Sequence, residues 1–112
     1  MRRGEVWWAV WPNDPKRKQR PVLIVSNNFR NSSPSLLDVV VVKLTGVINT
    51  NGVRKPVHLG EDLVIRFKKE TIIQCGAIYS IEKSSLESLA VVLAADQMAA
   101  VDERLKNVLQ LH

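Results

Sequence analysis

Four consecutive valines, Val39–Val42, lie in the run from Leu37 to Thr45, which Gly46 ends. β-branched residues favour pleated structure, and four in a row leave neither side of the pleat polar. The run therefore reads as a strand buried on both faces, and the rest of the chain must cover it. Two neighbours precede it. Glu5 to Trp11 (EVWWAVW) reads as a strand, broken by Pro12-Asn13-Asp14-Pro15 and a charged loop, Lys16 to Gln19. Pro21 to Ser26 reads as the next strand, with proline tolerated at its first position. Asn27 to Ser35 reads as loop.

After Gly46, Val47 to Lys55 reads as a polar turn region, followed by a short strand near Val57 to Leu59. Thr71 to Ile81 is a further extended run, broken at Gly76. Past Ile81 the periodicity turns helical: Ser84 or Ser85 is placed to cap a short helix and Asp96 a longer one. In the longer helix Met98, Val101, Leu105, Val108 and Leu109 form one apolar stripe, with Asp102, Glu103, Lys106, Asn107 and Gln110 opposite. The expectation is one mainly β domain over residues 1–112, a curled antiparallel sheet with C-terminal helices and room for a small barrel.

Composition narrows the function. At 112 residues the chain can bury a core without disulfide or metal staples. Cys75 is the lone cysteine, and its apolar neighbours suggest a buried, inert thiol. His58 and His112 are the two histidines, with neither a ligand spacing nor an acidic cluster beside them, so no metal is expected. No glycine-rich phosphate loop is present, and no cofactor is expected. Apolar runs fall far short of the ~18 residues of a membrane helix, and Met1-Arg2-Arg3 leads directly into a strand-like run. A soluble cytoplasmic protein with no membrane partner is the expectation. Net charge is +5, and six of the 16 basic residues (Arg2, Arg3, Lys16, Arg17, Lys18, Arg20) lie in the first 20 positions. Such a bias is compatible with a polyanion partner.

The chemistry then concentrates at one seam, "KRKQRPVLIVSN", where charge meets an apolar strand. Alternation sends Lys43 and Thr45 to one face of their strand and Val42 and Leu44 to the other. If this strand and the one from Pro21 are antiparallel neighbours, Arg20 and Thr45 lie at the same edge. A guanidinium fork, an ammonium and a hydroxyl would then converge, a set suited to a phosphate. Trp7 and Trp8 read as core, and Trp11, next to the basic loop, as the tryptophan placed to stack on a base.

"RRGEVWWAVWP", "RPVLIVSNN" and "VVVVKLTG", in that order, resemble the MazF/PemK family of toxin endoribonucleases, and the tail "LAADQMAAVDERLKNVLQL" resembles their C-terminal helix. The resemblance implies an SH3-like, partly open antiparallel barrel of the CcdB/MazF/PemK type, assembled as a homodimer. It implies metal-independent cleavage of single-stranded RNA, with Arg20 and Thr45 as the catalytic pair. RNA brings its own nucleophile, the 2′-OH, so the protein needs mainly to stabilise the phosphorane and help the 5′-oxygen leave. Arg20 would do the first and assist the second; Thr45 would either bond a non-bridging oxygen or orient the 2′-OH. The expected products are a 2′,3′-cyclic phosphate or 3′-phosphate and a 5′-hydroxyl. Lys16, Arg17, Lys18, Gln19, Asn27, Lys43 and Trp11 are the expected RNA contacts. The implied protein partner is a cognate antitoxin, with DNA bound only as part of the antitoxin complex. The first loop departs from the family's Gly-Ser-Glu pattern; Asp14 is its one acid and the candidate acid or base. Gyrase inhibition of the CcdB type, or an inactive relative that only binds, are the alternatives.

Overall fold

The computed structural model describes residues 1–111; His112 lies outside the described residues. Its elements are β1 (Glu5–Val10), β2 (Gln19–Ile24), α1 (Asn28–Ser32), β3 (Asp38–Gly46), β4 (Asp62–Arg66), β5 (Glu70–Glu82), β6 (Leu86–Val92) and α2 (Ala95–Leu109). All six strands join one antiparallel sheet in the order β4-β5-β3-β2-β1-β6. The valine strand β3 is thus interior, as its composition requires. On one face Val39 and Val41 pack with Ala9, Val22, Ile24 and Ile81. On the other, Val42 and Leu44 join Val6, Leu23, Ile65, Ile73 and Cys75, and α2 covers them through Val101.

The sheet stays open, since β4 and β6 are its two edges, and bulges give it curvature. Between β3 and β5 the register jumps from Val42↔Ile78 to Lys43↔Gln74, leaving Cys75, Gly76 and Ala77 as extra residues. Gly76 therefore marks a bulge inside a continuous 13-residue strand rather than a break. Two more irregularities, at Val6/Trp7 and Trp8/Ala9, bend β1 against β6.

Several local expectations need correction. Residues 57–59 form no strand; the strand is β4, five residues later, where Asp62–Arg66 can pair with Glu70–Gln74. Ser84 and Ser85 cap no helix. They close a single 3₁₀ turn (Lys83–Ser85), and the chain continues as β6, because β1 would otherwise present an unpaired edge. One C-terminal helix results, not two. Asp96 is not its cap: the Gln97 side chain accepts the Ala94 N–H at 2.9 Å, and Asp96 sits in the first turn, where the helix dipole favours an acid. Asn27 to Ser35 is not all loop, since α1 occupies Asn28–Ser32. Trp8 is not core but 39% exposed, whereas Trp7 is half-buried and donates its indole N–H to Glu5. Asp102, read as an outward residue of α2, binds Arg3 at 2.5 Å and holds the N-terminal segment to the helix.

α1 owes its place to a buried polar clip. The Asn31 side chain accepts from Ser26 Oγ at 2.5 Å and donates to the Ser26 carbonyl at 2.9 Å, while Ser26 Oγ accepts the Val40 N–H at 3.1 Å. Asn31→Ala is expected to strand these groups and cost about 1–3 kcal/mol. A lower urea midpoint at unchanged m-value checks this, and an unmoved midpoint would refute it. Among the described residues no helix is long and apolar enough to cross a membrane.

Candidate active site

The β2–β3 ladder pairs Val22 with Lys43, Leu23 with Val42 and Ile24 with Val41. Continued by two residues, this register sets Arg20 opposite Thr45, and alternation turns both to the face that carries Lys43. Arg20 is an exposed strand residue whose backbone is paired to Ala9 on its other side. Its position is therefore held by the sheet while its side chain is left free. Thr45 and Lys43 are half-buried on β3.

Around this pair the structure gathers aromatic and basic groups. Trp11 meets Tyr79 edge-on, with centroids 4.8 Å apart and planes at 83°. The Lys43 ammonium lies 4.9 Å from the Trp11 centroid and 5.5 Å from that of Tyr79. Tyr79 is 40% exposed, so the cluster reaches solvent with its cation already in place. The Lys55 ammonium donates to Thr45 Oγ1. Lys69 lies over Gly46, its Nζ 3.5 Å from where a β-carbon would stand.

Among the described residues the ion pairs are Arg3–Asp102, Arg54–Glu70 and Lys106–Glu103. None neutralises Arg20, Lys43, Lys55 or Lys69, so the end of β3 faces solvent as a patch of uncompensated positive charge. The Arg54–Glu70 pair at its rim, 3.3 Å long and exposed, contributes little.

Not every expected residue gathers there. Lys16, Arg17 and Lys18 are exposed on the β1–β2 loop, near the cluster but outside it. Gln19 starts β2 beside Arg20, and alternation sends it to the opposite face. Asn27 lies beyond the far end of β2, roughly 20 Å from Arg20 at ~3.3 Å per residue. There its side-chain oxygen caps α1 by accepting the Arg30 N–H at 2.8 Å, so Asn27 is a helix cap and not a neighbour of the seam. Asp14 is occupied within its own loop, where its carboxylate accepts the Lys16 N–H at 2.9 Å and its carbonyl the Arg17 N–H at 3.0 Å. Arg17, at φ 49°, needs this support in the left-handed region. His58 is exposed, and its backbone N–H binds Asp62.

Lys55 and Tyr79 are the residues that sequence reasoning missed. Tyr79 pairs with Val41, two positions from Lys43, but only across the β5 bulge. Cys75 within that bulge is buried, and burial pushes its thiol up to about 11, so it stays protonated and inert. Among the described residues no group of three or more His, Cys, Asp or Glu could hold a metal ion. A hollow lined by Arg3, Val25, Asn27, Arg30 and Leu109 lies at the far end of β2 from Arg20.

Fold and site together define a small open-barrel protein with an anion-facing, aromatic-flanked patch at the end of its central strands. The family model of the PemK-like, MazF-like toxins of type II toxin–antitoxin systems matches residues 2–109, and the chain belongs to that family. Solved structures repeat the fold over nearly its full length. An endoribonuclease in complex with its cognate antitoxin from Mycobacterial species is 23% identical, with TM-score 0.78, covering 100% of this chain and 97% of its own. The Mycobacterium tuberculosis toxin MazF-mt6 is 20% identical, with TM-score 0.73 and coverage of 96% and 98%. The MazE–MazF complex from Deinococcus radiodurans is 16% identical, with TM-score 0.74 and coverage of 100% and 97%. At these identities the likeness is one of fold.

Proposed function

We propose that this toxin is an endoribonuclease that cuts single-stranded RNA by internal transphosphorylation. The 2′-oxygen attacks the adjacent phosphorus, and the P–O5′ bond breaks. A 2′,3′-cyclic phosphate and a 5′-hydroxyl result, the proton leaving the 2′-OH being balanced by one gained at O5′. Arg20 binds the non-bridging oxygens as their charge grows and hydrogen-bonds the departing O5′, while solvent takes the 2′-OH proton and supplies the one that O5′ gains. Thr45 holds the phosphate from the opposite strand. Trp11 and Tyr79 stack a neighbouring base beside Lys43, and Lys16, Arg17 and Lys18 follow the backbone. Asp14 and Asn27 stand outside this set. The observation that carries the reading is the β2–β3 register, which, continued past Val22↔Lys43, opposes Arg20 to Thr45 amid cations, with the nearby Glu70 carboxylate held by Arg54. The family's antitoxin complexes support a cognate antitoxin as the protein partner. Assembly as a homodimer and a cytoplasmic site of action belong to the same reading.

Purified protein incubated with long single-stranded RNA in EDTA is expected to yield fragments whose 5′ ends accept phosphate from a polynucleotide kinase without prior phosphatase treatment. Intact RNA would overturn the proposal. Gyrase supercoiling, assayed alongside, is expected to be unaffected. RNA binding should weaken with salt, and alanine at Lys16, Arg17 and Lys18 together should flatten the log–log slope by about 2, at ~0.7 per phosphate contact on a single strand. An unchanged slope would remove that loop from the interface.

A further inference from the structure

We infer that Lys55 is a positioning residue that sets the polarity of the Thr45 hydroxyl, making Thr45 a hydrogen-bond donor to a non-bridging oxygen of the scissile phosphate. The inference rests on the endoribonuclease reading above and specifies how Thr45 holds the phosphate within it.

Lys55 is delivered by a turn. Asn49 Oδ1 accepts the N–H groups of Asn51 and Val53, both at 2.9 Å, and Gly52 takes φ 77°, where a side chain would be strained. The chain folds back: Asn49 N–H reaches the Val53 carbonyl at 2.9 Å, Ile48 bridges Arg54, and Lys55 N–H reaches the Val47 carbonyl at 2.7 Å. Val47 is buried, and its own N–H binds the Glu70 carbonyl on β5. The stem of this hairpin is therefore moored to the sheet, and it returns Lys55 alongside the end of β3.

There the Lys55 ammonium meets Thr45 Oγ1. An ammonium carries three donors and no acceptor, so Thr45 must be the acceptor in this bond. A hydroxyl has one proton to donate, and it cannot point at Nζ. Among the described residues no internal group accepts it. The Thr45 O–H is thus turned away from Lys55 and left for an acceptor from outside. The same bond draws electron density from Oγ1 and makes it a poor base toward a 2′-OH. A half-buried ammonium with only a neutral hydroxyl as its partner is also incompletely compensated, and an arriving phosphate would complete it. Donation to a phosphate oxygen is the role these constraints leave.

If Lys55 works through Thr45, their losses must not add. The test uses the full chain and a short single-stranded RNA spanning a cut mapped with the wild type, under single-turnover conditions. Lys55→Met is expected to slow cleavage by about 10- to 100-fold in the wild-type background and by less than about 3-fold in Thr45→Ala. Lys55→Arg should recover part of the rate. Sulphur in place of the non-bridging oxygen that Thr45 binds should slow the wild type more than Lys55→Met or Thr45→Ala. Thermal melts accompany every variant, and Lys55→Gln replaces Lys55→Met should the latter unfold. Additive losses, no loss, or a sulphur effect equal in all variants would overturn the inference while leaving the endoribonuclease reading intact. RNA left whole by the wild type would overturn both.

Discussion

Arg20→Ala is expected to slow cleavage of single-stranded RNA by on the order of 10²–10³-fold while leaving the protein folded. The size follows from the charge to be stabilised. A phosphorane carries more charge than the phosphate it comes from, and Arg20 is the guanidinium that the β2–β3 register, continued two residues past Val22↔Lys43, sets across from Thr45. Removing one preorganised donor to a developing oxyanion has this order of effect because water cannot replace it without reorganising. The sparing of the fold also follows from position. Arg20 is exposed, and its side chain makes no ion pair among the described residues. The pairing of its backbone with Ala9 survives truncation. Surface substitutions of this kind move stability by about 0.5 kcal/mol or less.

Arg20→Lys separates charge from geometry. It keeps the cation but loses the planar fork, and at a bidentate phosphate site these are different things. The expected rate lies between wild type and alanine. Single-turnover cleavage with a thermal melt of each variant measures both quantities. Alanine at wild-type rate would remove Arg20 from the reaction, and full recovery by lysine would reduce it to a point charge.

The placement of Arg20, Thr45 and Lys43 on one face is legible in the sequence because strand chemistry is local. Four valines demand an interior strand, proline and charge mark the start of its neighbour, and period-two alternation assigns faces. The connection between the two strands, which carries α1, allows the antiparallel pairing found. Lys55 is not legible. It reaches Thr45 only because a turn organised by Asn49 and Gly52 doubles the chain back, and nothing in the composition of that turn says which side chain lands on β3. Tyr79 is hidden by the β5 bulge, which shifts every pairing beyond it.

β6 escapes a sequence reading for a different reason. Leu86–Val92 is exposed along most of its length, so it carries no alternating burial signal, and Ser84 and Ser85 before it look like helix caps. It is a strand because β1, about eighty residues earlier, offers it an edge. That is a tertiary cause, and local propensity cannot report it. The same limit applies to Asp14 and Asn27. Both read as chemistry from their types and neighbours, and both have partners that occupy them as turn and helix caps.

Ile73→Ala is expected to cost roughly 2–5 kcal/mol, and Ile73→Val about 0.5–1.5 kcal/mol. Ile73 is fully buried on β5, between Leu44 on β3 and Leu63 on β4, in the core that α2 closes through Val101. Neighbours on both sides belong to paired strands, so the backbone has little room to collapse into the space that a lost side chain leaves. Such sites fall toward the expensive end of the range. A domain of this size is stable by about 5–15 kcal/mol, so alanine at this one position removes a large share. Thr45, one position along β3 from Leu44, faces the other way, and the opposite face of the sheet keeps its own core. A folded Ile73→Val should therefore cleave RNA at the wild-type rate although it melts lower. Urea titration of the three proteins gives the stabilities. A loss below about 1 kcal/mol for alanine would place Ile73 outside the core, and a loss of cleavage in folded Ile73→Val would show that the two faces of the sheet are coupled.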